Sequence, residues 1–173
     1  MSDATGARME ELVIRRIIDA PVDLVWEAWT NPDHVMRWWG PKYYTSPSCT
    51  IDLRVGGRYV FCMQAPAEMG GTVSYTAGVY KRIVHNKVLE FTQAISDKDG
   101  NPIDPTTIGL PADFPEELNA VVTFEAKGEL TRLSIEVHGW TASQMFVFAY
   151  AGWHQQTDKF EEILTQLSRS AGT

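Results

Sequence analysis

Trp38-Trp39-Gly40-Pro41, followed by Ile51-Asp52-Leu53-Arg54-Val55-Gly56-Gly57, is the stretch on which the reading of this chain turns. Two adjacent indoles carry a large apolar area with one polar atom each, so they need a covering partner in a core, at an interface or around a ligand cavity. The Gly-Pro step breaks any helix that carries them, and the glycine pair releases a tight turn into the next strand. A helix end, an apolar interior and a turn into a strand therefore lie close together.

Working back toward the N-terminus, Leu12 to Ile18 is an apolar, β-branched run interrupted by Arg15 and Arg16 and reads as a first strand. Pro21 is preorganised for a first helical turn, and Val22, Val25, Trp26 and Trp29 follow at helical spacing, which buries one stripe of a helix. Thr30-Asn31-Pro32 repeats the cap-then-proline signal and opens a second short helix with Asp33 in its first turn. That helix runs into the tryptophan pair.

Toward the C-terminus, strand candidates alternate with turn signals: Cys49 to Leu53, Gly57 to Gln64, Thr72 to Val84 and Lys87 to Ala94, the last two joined at His85-Asn86. A long loop rich in proline and glycine runs from Ser96 through Pro115. Ala120 to Ala126 and Leu130 to His138 meet across Lys127-Gly128-Glu129, and Leu133, Ile135 and Val137 alternate with Arg132, Ser134 and Glu136, the pattern of a strand with one face on a core and one in water. A long final helix is capped by Thr141 with Gln144 and carries an apolar stripe including Met145, Ala149, Gly152, Trp153, Gln156, Phe160, Leu164 and Leu167. A stripe of that length needs a broad partner, and the inner face of the antiparallel sheet is the partner available. The fold expected is α+β: a curved antiparallel sheet gripping a long C-terminal helix, with two short helices after the first strand. Residues 1–10 are expected as a flexible tail and 11–170 as one domain.

The chain has 173 residues, with 44% hydrophobic and 21% charged, values ordinary for a globular protein. A net charge of -7 argues against a nucleic-acid footprint. Met1 to Arg8 lack the apolar run of a signal peptide and no apolar stretch reaches the length of a membrane span, so a cytoplasmic address is expected. Cys49 and Cys62 are too few for a disulfide framework and read as small core hydrophobes. His34, His85, His138 and His154 are too widely spaced for a local metal motif, and Asp97-Lys98-Asp99-Gly100-Asn101 fails as a calcium loop because Pro102 and Ile108 stand where glycine and glutamate are needed. No metal and no cofactor is expected.

Trp38-Trp39-Gly40-Pro41, Asp52 to Gly57, Gly78-Val79-Tyr80, Thr131-Arg132-Leu133 with His138-Gly139, and Gly152-Trp153-His154, opened by Ala20-Pro21 and Trp29-Thr30-Asn31-Pro32, together resemble the family of activator of Hsp90 ATPase homologue 1-like proteins, within the START and Bet v 1-like helix-grip superfamily. The resemblance is ordered and nearly full length. It implies a sheet and long helix enclosing an apolar cavity. Members of the superfamily bind lipids, sterols, hormones or polyketides, and some act as cyclases or hydrolases. The eukaryotic activator carries a further N-terminal chaperone-binding domain, for which this chain has no room.

The function expected is noncatalytic binding of a small apolar or amphipathic molecule. The alternatives are a cyclase or hydrolase type of enzyme and a chaperone-interacting module; other partners the reading allows are a chaperone and a second copy of the chain. The cavity-lining residues expected are Trp29, Trp38 and Trp39 from the early helices, Tyr59, Phe61, Tyr75, Phe91 and Phe124 from the strands, and Phe148, Ala149 and Trp153 from the final helix.

Overall fold

The computed structural model describes residues 8–171. Strand β1 (Met9–Ile18) leads into helices α1 (Val22–Thr30) and α2 (Pro32–Trp38), and strands β2 (Cys49–Ile51), β3 (Arg58–Gln64), β4 (Val73–Val84), β5 (Val88–Ser96), β6 (Leu118–Lys127) and β7 (Leu130–Thr141) precede helix α3 (Gln144–Ala171). The sheet has seven strands in the order β1-β7-β6-β5-β4-β3-β2, and every neighbouring pair is antiparallel. β1 and β2 thus occupy opposite edges, and α1 and α2 carry the chain from one edge to the other. This is the helix-grip architecture expected from the sequence.

Local chemistry explains the elements. Pro21 precedes the first turn of α1, whose Val25, Trp26 and Trp29 are buried. Asn31 caps α2 by accepting the Asp33 N–H at 3.0 Å, with Pro32 at the first helical position, where a missing N–H costs nothing. Gly57 is required at the turn before β3, because a Cβ there would lie 2.1 Å from the Asp52 carbonyl oxygen. In β7, Leu133, Ile135 and Val137 are buried and Arg132 is exposed, following the period of two. On α3, Trp153, Phe160 and Leu164 are buried against the sheet and the early helices.

Three expectations need correction. The cap of α3 is Ser143, whose Oγ accepts the Phe146 N–H at 3.2 Å; Thr141 ends β7, where it pairs with Met9. The tail expected through Glu10 gives way to β1 from Met9, because Met9 and Glu10 pair with Thr141 and Trp140; residues 1–7 lie outside the described residues. The long loop after β5 is partly ordered by a 3-10 turn, Pro105–Ile108, in which the Asp104 carboxylate accepts the Thr106 N–H at 3.0 Å. None of the described helices is long and apolar enough to cross a membrane.

Aromatic rings fill the centre. Trp29 packs on Trp38, Trp153 and Phe160 with centroids 4.7, 6.3 and 6.0 Å away, and Trp39 meets Phe61 edge-on at 4.7 Å. Such edge-to-face pairs contribute about 0.5–1.5 kcal/mol each beyond their area burial.

Candidate functional site

Between the sheet and the N-terminal half of α3 lies a cavity of about 400 Å³. Its floor comes from Met63 of β3, Ser74 and Thr76 of β4, the run Gln93 to Ile95 of β5 and Leu118 of β6. α3 supplies one wall with Met145, Phe148, Ala149, Gly152, Trp153 and Gln156, and the segment after α2 supplies another with Trp39, Pro41 and Tyr44. Ile108, Leu110, Phe114 and Pro115 of the long loop close the remaining side.

Of the residues expected to line it, Trp39, Phe148, Ala149 and Trp153 do so. Trp29, Tyr59, Phe61 and Phe91 instead pack into one another, and the space between them admits no water-sized molecule. Trp38 is 1% exposed and spends its Nε1–H on the Ala28 carbonyl at 2.9 Å, so it is core. Phe124 packs on Trp26 at 5.1 Å, away from the cavity. Tyr75 falls out of phase with Ser74 and Thr76 and belongs to the opposite face of β4.

The rim segment is fastened to α3 by polar contacts. Gln156 Oε1 accepts the Gly40 N–H at 2.6 Å, and Gln155 Oε1 accepts the Lys42 N–H at 3.1 Å. Lys159 Nζ donates toward the carbonyl oxygens of Trp39, Gly40, Pro41 and Tyr44 at 3.4, 3.0, 3.4 and 3.1 Å. Burial holds the pKa of this ammonium below the ordinary lysine value.

Trp140, Gln93 and the closing loop were missed from the sequence. In β7 the alternation that turns Val137 inward would turn Trp140 outward. Between the pairs Leu12–Val137 and Glu10–Trp140 the register advances two residues in β1 and three in β7, so β7 carries a bulge at His138-Gly139, with Gly139 at φ +112, and the extra residue resets the phase and brings Trp140 into the cavity wall. Gln93 had a readable signal: it shares the period of two with buried Leu89 and Phe91.

Apart from the Tyr44 phenol, the titratable groups lie elsewhere. No Lys, Arg, His, Asp or Glu among the described residues lines the cavity. Tyr59 and Tyr80 have phenol pKa values raised chiefly by burial, and Tyr59 donates to the Thr92 carbonyl within the core. Burial pushes the Cys49 thiol up to about 12. Arg16 reaches α3, with Nη1 2.7 Å from Asp158 and 3.3 Å from Glu161 and Nη2 3.1 Å from His154 Nδ1. Glu90 accepts from Asn119 and Glu125 pairs with Lys127 and Arg132 on the outer surface. His138 meets Glu11 at 3.3 Å and Glu136 at 3.6 Å, a surface cluster whose ligand atoms lie within 4.8 Å of one another. Asp97 turns its carboxylate onto the Asp99 and Asn101 N–H groups, closing an Asx turn.

A seven-stranded antiparallel sheet gripping a long helix over an apolar cleft defines a helix-grip protein. The chain belongs to the family described as activator of Hsp90 ATPase homolog 1-like protein, whose profile matches residues 19–165. Among solved structures it is similar to a crystal structure from Nitrosomonas europaea, at 25% identity with TM-score 0.72, covering 92% of this chain and 96% of that one. It is also similar to an AHSA1-like protein from Aeromonas hydrophila, at 20% identity and TM-score 0.68 over 92% of this chain and 94% of that one. CalU16 from Micromonospora echinospora matches at 22% identity and TM-score 0.62, over 98% of this chain and 85% of that one. No curated protein matches by sequence.

Proposed function

We propose that this protein binds a small apolar or amphipathic molecule in the cavity between sheet and α3 and does no chemistry on it. The observation that carries this reading is a volume of about 400 Å³ bounded mainly by apolar side chains and without a Lys, Arg, His, Asp or Glu in its described lining. That volume falls toward the small end of the range of roughly 300–1,000 Å³ typical of ligand clefts. A cyclase or hydrolase needs a positioned proton donor or acceptor at its substrate. The cavity offers the phenol of Tyr44 and neutral amides, hydroxyls and the indoles of Trp39, Trp140 and Trp153. Family membership supports the fold of this reading and leaves the ligand to the cavity's own chemistry.

The test is a fluorescence titration with a neutral, environment-sensitive naphthalene dye on the wild type and on Ala149→Phe, with unfolding curves for both. Filling open space is expected to lower dye affinity at least about tenfold while stability changes by less than about 1 kcal/mol, since overpacking a closed core costs about 1–3 kcal/mol. Loss of stability with unchanged dye binding would identify a filled interior and overturn the reading.

A further inference from the structure

We infer that the cavity selects an uncharged molecule carrying a hydrogen-bond-accepting oxygen, such as a ketone, ester or amide carbonyl, and that Gln93 receives that oxygen. The inference rests on the cavity being a binding site and specifies what it takes.

The polar groups of the wall decide the class. Gln93 is 7% exposed and lines the cavity, yet its amide makes no hydrogen bond to another described residue. The amide atoms are not sealed from the cavity, so water there can serve them, and a ligand that displaces this water binds well only when it supplies the hydrogen bond in turn. Trp140 also lines the wall, but its indole Nε1–H is sealed behind the ring and does not reach the cavity. Gln156 has its Oε1 committed to the Gly40 N–H, which leaves its Nε2 as a donor. The wall amide whose role is fixed, Gln156, therefore offers a donor beside Gln93, and the ligand brings the acceptor.

Charge is excluded by the same wall. A carboxylate or phosphate moved into this space would shed its hydration without a cation to replace it, and an ammonium would find no carboxylate. The positive end of the α3 dipole lies beside the cavity, but Ser143 Oγ already takes the Phe146 N–H there. A saturated hydrocarbon would fit the volume and leave Gln93 unpaired.

Three probes of one shape separate these cases: a dimethylaminonaphthalene bearing a propionyl ketone, its propyl analogue without the oxygen, and the corresponding naphthoate at pH 8, each titrated against wild type and Gln93→Leu. In the wild type the ketone is expected to bind about tenfold more tightly than the propyl compound, the worth of one buried hydrogen bond. The naphthoate should bind weakest. In Gln93→Leu the ketone should fall to the level of the propyl compound, whose affinity is retained, and its bound emission should shift to the blue as the carbonyl loses its donor. Equal binding of ketone and propyl compound by the wild type would overturn the inference while leaving apolar binding intact, and tightest binding of the naphthoate would overturn it in favour of an anion site. A ketone preference that survives Gln93→Leu would remove Gln93 from the recognition. Failure of all three probes to bind would overturn the binding reading itself.

Discussion

Gln156 Oε1 accepts the backbone N–H of Gly40 at 2.6 Å, joining the middle of α3 to the turn that follows the tryptophan pair. The bond is buried and spans the fold, so it holds the rim residues Trp39 and Pro41 against the helix that forms the opposite wall.

Gln156→Leu keeps the volume and leaves the Gly40 N–H unsatisfied. The expected loss is about 1–3 kcal/mol of folding stability, read from the urea midpoint at unchanged slope. A loss below about 0.5 kcal/mol would mean that water reaches Gly40.

Gly152→Ala tests the packing of α3 at the rim. A Cβ at Gly152 meets Pro41 Cγ at 3.5 Å, an ordinary van der Waals distance. The helix-propensity gain of about 1 kcal/mol should therefore appear as higher stability, measured by thermal unfolding. Lower stability would show that the Pro41 segment sits tighter on α3 than this distance implies.

These sites show where the sequence was readable. The succession of strands along the chain, the position of both short helices and the inward face of α3 follow from periodicity and turn signals, because burial on one face imposes its period on the sequence, whereas the order of strands within the sheet came from the structure. The division of aromatics between core and cavity does not follow, since both surfaces demand apolar area. Trp29 and Trp153 read alike, yet a ring fills the space beside Trp29 and leaves it open beside Trp153. Trp140 was hidden by the β7 bulge at His138-Gly139, which reverses the phase of alternation locally. Ile108 and Phe114 were hidden in a loop, where no period connects a residue to a face. Thr141 and Ser143 both suit a cap, and pairing of Thr141 with Met9 in the sheet decides between them.

Tyr59 makes stability pH-dependent at the alkaline end. Its phenol is held neutral by burial, so its folded pKa lies well above the unfolded value of 10.0. In that window the folded state binds the proton that the unfolded state has released, and the stability this contributes is complete below pH 10 and lost as pH rises beyond it. Tyr59→Phe should be less stable than wild type at pH 7 by about 1 kcal/mol, through loss of the bond to the Thr92 carbonyl. Between pH 10 and 11.5 it should lose less stability than the wild type. Parallel decline of the two proteins, followed by denaturant unfolding at each pH, would show that Tyr59 does not set the alkaline limit.

Cys49 and Cys62 should react slowly. Cys62 is buried, and the Cys49 thiol is pushed up to about 12, so little thiolate exists at pH 8. Native protein mixed with a thiol-reactive disulfide should label over hours, and denatured protein within minutes. Rapid labelling of one thiol in the native state would show that the β2 edge opens readily.

The most direct test of the central claim is to locate a bound probe. Isotope-labelled protein titrated with the neutral naphthyl ketone is expected to give intermolecular NOEs to the methyl groups of Met63, Leu110, Leu118 and Met145, together with amide shifts at Thr76, Gln93 and Gly152. The rings of Trp29, Tyr59 and Phe91 should show no contact with the probe. NOEs confined to the exposed side chains of Val147 and Tyr150 on the outer surface of α3, or the absence of any NOE at saturating probe, would contradict binding inside the cavity.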